Sequence, residues 1–450
     1  MKGIDFTYAY SLAYIIPIYG LIILIEAYFS RDKIDDVWFY IEESCSSIIS
    51  KMMSLVVTVV GINLTLLAFP DFFQSSGFLK TESLAWWHYV LIFIIIDFCG
   101  YWGHRLAHSS NIFWNDHRIH HSGEIFNYAT GIRSDFISVT SIRALFLIPI
   151  YFLGFSLTDY YIILIVHATV QFWTHTEVIG RLGFLEKILV TPTSHKIHHA
   201  MNTEYIDKNF GTLLIIWDRM FGTYQASIKG VDPVVGDTRP SRSYNPLILN
   251  LHHFYRLILD AFRTNNYLDK LRIWFMPTGW RPNDVIEKYP ILAIKNPKLY
   301  KEEFFYKPNN SNELRYWNFL MFSVLVGLNY FFFVYIKEII ALKPIVEFVS
   351  NPVLISIFIL LCFNSLTLFM DRNKWSWAFE LPQFILGMFM IYKINLLGMI
   401  TTDYFLYFLI LLFIYLIISF SVTIYFSIIF FGEKKEDLFY TQNSQVAYKV

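Results

Sequence analysis

The chain has 450 residues, 36 basic and 36 acidic, so its formal charge is zero and it offers no basic surface for nucleic acid. Hydrophobic residues make up 55% and charged residues only 16%, below the roughly 25% of a soluble domain, which excludes an ordinary soluble protein. The three cysteines, Cys45, Cys99 and Cys362, form no CxxC pair, so neither a disulfide framework nor a thiolate metal site is expected.

Several apolar stretches approach the ~20 residues needed to cross a bilayer as a helix. They predict spans at about 8–28, 52–70 and 84–101, then a pair at about 137–157 and 159–173 that turns near Thr158-Asp159. Four more follow at about 316–337, 353–370, 376–393 and 404–431. The N-terminus lacks a basic region and a small-residue cleavage site, so its first apolar run reads as a retained helix. The expected fold is all-α: a polytopic transmembrane helical protein with a histidine-rich cap. A catalytic unit would cover 1–315, and a C-terminal transmembrane helix bundle 316–450.

Two polar regions, 102–136 and 174–315, interrupt the apolar pattern. If the central pair of spans returns to its starting side, both face one compartment. Arg31, Lys33, Lys51, Arg372, Lys374, Lys434 and Lys435 fall on that side, whereas the segment 71–83 on the other holds only Lys80. Basic short loops stay cytoplasmic, so the cap should be cytosolic and the N-terminus outside, in a bacterial inner membrane or the endoplasmic reticulum. Arg143, inside the fourth span, should face protein or snorkel to the headgroups. Over 246–263, Leu247, Leu251, Phe254, Ile258 and Phe262 oppose Asn250, His253, Arg256, Asp260 and Arg263, behind Asn245 as cap and Pro246 at the first helical position. This helix suits either the membrane interface or the packing of a cytosolic cap.

Eight of thirteen histidines fall in three compact groups. His104 and His108 stand at i and i+4. His117, His120 and His121, and again His195, His198 and His199, stand at i, i+3 and i+4. On a helix these offsets share one face. Packing so many imidazoles together without a metal is costly. Neutral imidazole suits zinc, copper, iron and nickel, and eight exceed the four ligands of one tetrahedral zinc, so two ions are expected. One HxxxH alone is usually structural; three such boxes bracketing spans are not.

The run from Asp97 through His104-Arg-Leu-Ala-His108 and Trp114-Asn-Asp-His117-Arg-Ile-His120-His121 resembles the fatty acid hydroxylase/sterol desaturase superfamily over about residues 90–225. Gln171-Phe-Trp-Thr-His175-Thr-Glu177, Thr191 to His199, Tyr205 to Gly211 and Trp217 to Thr223 resemble its alkylglycerol monooxygenase branch most. The resemblance implies a membrane-bound non-haem centre of two iron ions, O2 activation and hydroxylation of a lipid. For the ether-cleaving branch it also implies tetrahydrobiopterin. It further implies His175 as a ninth metal ligand, with Gln171 four residues earlier a weaker candidate. Asp97 and Glu177 are candidate acceptors for imidazole N–H groups, or ordinary helix-end residues. No catalytic residue beyond the metal ligands and no pterin site can be named. His88 reads as interfacial, His167 as a core or channel group, and His252 and His253 lack a third partner at ligand spacing.

The alternative substrate is a sterol, carotenoid or fatty acyl chain, hydroxylated or desaturated with electrons from a ferredoxin or cytochrome b5 as partner protein. A metal transporter is the alternative of another class; few acidic residues in the apolar runs argue against it.

Overall fold

A computed structural model describes residues 7–68, 85–137, 157–341, 352–396, 403–429 and 447–449. Helix follows helix: α1 (Thr7–Ser30), α2 (Val37–Ala68), α3 (Trp86–Ser109), α4 (Asn111–His121), the single turn α5 (Tyr128–Gly131) and α6 (Leu157–Gln171). The cap continues with α7 (Pro192–His198), α8 (Ile216–Met220), α9 (Pro246–Arg263), α10 (Tyr267–Arg272), α11 (Asn283–Lys288) and α12 (Pro297–Glu303). Four long helices close the chain: α13 (Asn312–Ala341), α14 (Pro352–Met370), α15 (Trp377–Leu396) and α16 (Asp403–Ile429). The only strands among the described residues, β1 (Leu292–Ile294) and β2 (Ala447–Lys449), pair antiparallel with Leu292 opposite Lys449.

Three described helical stretches are long and apolar enough to cross a membrane: Trp86–Ser109, Val353–Met370 and Leu406–Ile429. The chain is an integral membrane protein. On α3, Trp87, Val90, Leu91, Ile94, Phe98 and Trp102 form an exposed apolar stripe. The opposite side turns Ile92, Ile96, Asp97, Tyr101 and His108 inward. The same helix therefore carries a lipid-facing face and the first histidine box. The apolar core of the bundle joins Ile49, Met53 and Val56 of α2 to Phe322 and Leu325 of α13, Phe358 and Phe363 of α14 and Leu416 of α16.

The structure moves several expected boundaries. α3 does not stop at residue 101 but runs on to Ser109, where Ser110 turns extended, so His104 and His108 lie on its last two turns. The expected loop 31–51 is instead a short turn followed by the first half of α2. Its Glu43, Ser46, Ser47 and Ser50 do not break the helix, because each is buried with a partner from the cap: the Arg133 guanidinium, the Ser134 carbonyl or the Tyr244 carbonyl. Thr158 and Asp159, expected as a turn, sit in the first turn of α6. The span at 137–157 and Arg143 fall almost wholly outside the described residues.

Helix α9 is capped as its sequence predicts, the Asn245 side chain accepting the Ile248 N–H at 2.9 Å. Its polar side faces the protein. Asn250 accepts the Phe136 and Ile137 N–H groups, and Asp260 pairs with Arg281. Asn245 also donates to Thr367 at 2.8 Å, tying the cap to α14.

Candidate metal centre

Eight box histidines and His175 come together as two adjoining groups. His104, His108, His117, His121 and His198 form one; His120, His175, His195 and His199 form the other, and within each group the candidate ligand nitrogens lie within 4.8 Å of one another. Each group draws on more than one box. His121 Nε2 lies 3.2 Å from His108 Nε2, 3.1 Å from His117 Nε2 and 3.0 Å from His198 Nε2. In the second group, His175 Nε2 lies 3.2 Å from His120 Nε2, 3.2 Å from His199 Nε2 and 2.9 Å from His195 Nε2.

The outer ring nitrogens explain these contacts. His104 Nδ1 meets the Phe210 carbonyl at 2.8 Å, His198 Nδ1 the Lys208 carbonyl at 2.8 Å, and His120 Nδ1 the Arg133 carbonyl at 3.1 Å. A carbonyl can only accept, so the proton sits on Nδ1 and each Nε2 presents a lone pair inward. Lone pairs facing lone pairs repel unless a cation stands between them. Imidazole nitrogens lie ~2.0–2.1 Å from a divalent ion such as zinc, so two at right angles on one ion stand about 3 Å apart. The observed separations fit that arrangement.

Burial and the neighbouring rings hold His117, His121, His175, His195, His198 and His199 well below the usual histidine range. They are neutral at pH 7, the protonation state a metal ligand needs.

Two loops supply the carbonyls. Asp207 and Asn209 adopt left-handed backbone at φ 57°. Asn209 donates to the Ser194 and Gln225 carbonyls and accepts the Gln225 N–H, while Asp218 accepts the Phe210 and Gly211 N–H groups at 2.7 Å each. A Cβ on Gly211 would meet both Asp218 Oδ2 and the Leu214 carbonyl at 2.8 Å. Asn209, Gly211 and Asp218 thus aim the carbonyls that orient His198 and His104. On the other loop Arg133, fully buried, pairs with Glu43 at 3.1 Å and binds Ser46, Ser47 and Ser122, so α2 holds the carbonyl that orients His120. Gly131 lets His175 in, since a Cβ there would lie 2.6 Å from the His175 Cβ.

Asp97 and Glu177 do not serve the ligand imidazoles. Asp97 accepts from Thr212, the Leu213 and Leu214 N–H groups, the Trp217 indole and His167, and so anchors the segment after Gly211 to α3. His167 is accordingly a core group. Glu177 pairs with Lys196 at 2.6 Å at the surface. Gln171 ends α6, its carbonyl accepting the Thr174 hydroxyl. His88 stacks on Trp87 near the exposed start of α3. His252 accepts from Arg256 and His253 meets the Asn111 carbonyl, both outside the metal groups.

Residues 89–223 match the fatty acid hydroxylase family model, which bears out the superfamily resemblance of the histidine boxes. The chain is similar to alkylglycerol monooxygenases. It is 33% identical to that of Homo sapiens over 54% of this chain and 53% of the relative, and 28% identical to that of Danio rerio over 83% and 80%. The human match thus spans about half of the relative's length. An ornithine lipid hydroxylase of Rhizobium tropici is 38% identical over 30% of this chain and 41% of its own. No solved structure matches.

Proposed function

We propose that this chain is a di-iron lipid monooxygenase that hydroxylates the carbon beside a glycerol ether oxygen, with O2 and tetrahydrobiopterin as co-substrates. The observation that carries the reading is the pair of adjoining imidazole groups at the end of an apolar helix. Bound iron would supply the O2 chemistry that no side chain provides. His104, His108, His117, His121 and His198 would hold one ion, and His120, His175, His195 and His199 the other. The chain's own groups orient and seal the site. The carbonyls of Arg133, Lys208 and Phe210 fix the imidazoles, and the rings of Trp114, Phe126 and Phe210 pack against them and exclude water.

The reaction balances as follows. One oxygen atom enters the C–H bond, and the other leaves as water with two electrons and two protons from the reduced pterin. The resulting hemiacetal breaks to a fatty aldehyde and free glycerol. An ether carbon lies near the headgroup, at the depth where α3 passes from its apolar stripe to its histidines, which supports this substrate over a mid-chain carbon. Residues 1–315 would form the catalytic unit and 316–450 a multi-pass bundle buttressing it, with the cap cytosolic and the N-terminus outside.

The 38% identity to an ornithine lipid hydroxylase favours a second reading, hydroxylation of an acyl lipid with a protein electron donor. Iron-loaded protein given O2, tetrahydrobiopterin and an alkylglycerol separates the two. Fatty aldehyde is expected; an oxidised acyl lipid formed only with a ferredoxin-type donor would sink the ether assignment.

A further inference from the structure

A cavity of ≈ 230 Å³ lies in the cap against one side of the metal centre. It reaches His108, His121 and His198, all of the five-histidine group, and no member of the four-histidine group. Its lining sets charged and aromatic side chains beside aliphatic ones such as Met201, Ile206 and Leu257. Arg118 pairs with Asp237 at 2.5 Å, Arg281 with Asp260 at 2.6 Å, and the indoles of Trp114 and Trp280 complete the wall. Asp207 stands on the exposed rim with its Oδ1 3.4 Å from His108 Nδ1.

Size and chemistry restrict the occupant. Pockets for drug-sized ligands run to ~300–1,000 Å³ and are mostly apolar; this one is smaller and carries several charged side chains in its wall. A lipid chain placed here would strip water from guanidinium–carboxylate pairs without replacing it. A small flat heterocycle fits better, because an indole offers a stacking face and a carboxylate can accept two adjacent N–H donors.

We propose that this cavity seats the reduced pterin, its pyrimidine N–H and amino group on the Asp207 carboxylate and its ring against Trp280. The pterin gives up two electrons and two protons and leaves as the dihydro form, so reducing equivalents enter through the five-histidine group alone. The proposal rests on the pterin-dependent reading above and adds its location.

The test is anaerobic titration of full-length, iron-loaded protein in lipid nanodiscs with tetrahydrobiopterin, read by tryptophan fluorescence, alongside iron content. Asp207→Asn and Trp280→Leu are each expected to weaken binding at least tenfold with both irons retained. Should Asp207→Asn shed iron, Trp280→Leu decides, since Trp280 touches no histidine. Wild-type affinity in the iron-replete variants would overturn the location, yet leave the ether reaction standing wherever the parent protein still makes aldehyde. A parent protein that neither binds the pterin nor makes aldehyde would overturn both.

Discussion

His175 Nε2 lies 2.9 Å from His195 Nε2, although His175 follows α6 and His195 lies on α7, beyond an irregular surface loop. A single histidine outside the boxes thereby completes the four-member group. His175→Ala is expected to leave one tightly bound iron of two and to lower turnover at least a hundredfold. His252→Ala, outside both groups, should retain two. Metal analysis of anaerobically purified protein checks both, and an iron pair kept by His175→Ala would overturn the ligand assignment.

Gly131→Ala tests the same histidine without removing it. The added Cβ would overlap His175, where 2.6 Å is closer than packed atoms come. Moving a ligand or its orienting group typically costs 10–100-fold in metal affinity or activity. A loss in that range is expected, with membrane insertion intact. Unchanged iron affinity would show that the backbone at 131 gives way.

Asp97→Ala should cost about 2–4 kcal/mol, because it strands the Thr212 hydroxyl, two backbone N–H groups, the Trp217 indole and His167. Its effect on the centre is indirect, through the segment that continues from the Phe210 carbonyl. Thermal unfolding of the variant in detergent measures the loss, and a midpoint equal to the parent's would refute the anchoring role.

Glu124 and Asp371 should work against the stability that the buried neutral histidines gain as pH rises from about 4.5 to 7. Burial, with Glu43 adding to it, pushes the Glu124 carboxyl up to about 7, and burial raises Asp371 to about 7 as well. Both are acids whose folded form holds its proton longer than the unfolded chain does. Below the unfolded values both states are protonated and pH has no effect. Above them the unfolded chain ionises first, which favours unfolding until about pH 7. Melting temperatures across this window should rise with the histidines, and Glu124→Gln should steepen that rise. An unchanged slope in that variant would exclude Glu124 as an opposing group.

The orientation can be read by labelling. Cys45, Cys99 and Cys362 are buried, so single cysteines at the exposed positions of Lys229 in the cap and Lys374 between α14 and α15 report cleanly. Both are expected to react from the cytosolic face only. Labelling from opposite faces would break the single-compartment arrangement.

The three boxes were legible because a spacing of three or four residues is itself a statement about a helix face, and α3, α4 and α7 honour it. Division of the ligands into five and four was not, since each group takes members from boxes that meet only in space. The orienting acceptors left no signal at all: they are the carbonyls of Arg133, Lys208 and Phe210, and a backbone carbonyl is common to every residue type. What could be read was their support, the Asn209-Phe-Gly211 and Trp217-Asp218 runs, whose purpose appears only once Asp218 is seen holding the loop. The start of α2 was missed because Glu43, Ser46 and Ser47 look like loop residues until Arg133 is placed among them.

Each metal group mixes ligands from before and after α6, His121 with His198 and His120 with His195. A nascent chain that has released only the first two boxes therefore owns neither site. Two ions held by these groups would have to be captured after residue 199 has left the ribosome and α6 has settled against α3, which would make metallation a late step of biosynthesis. Chains cut short before His195 should accumulate as inserted but metal-free protein, offering quality control a simple mark of incompleteness.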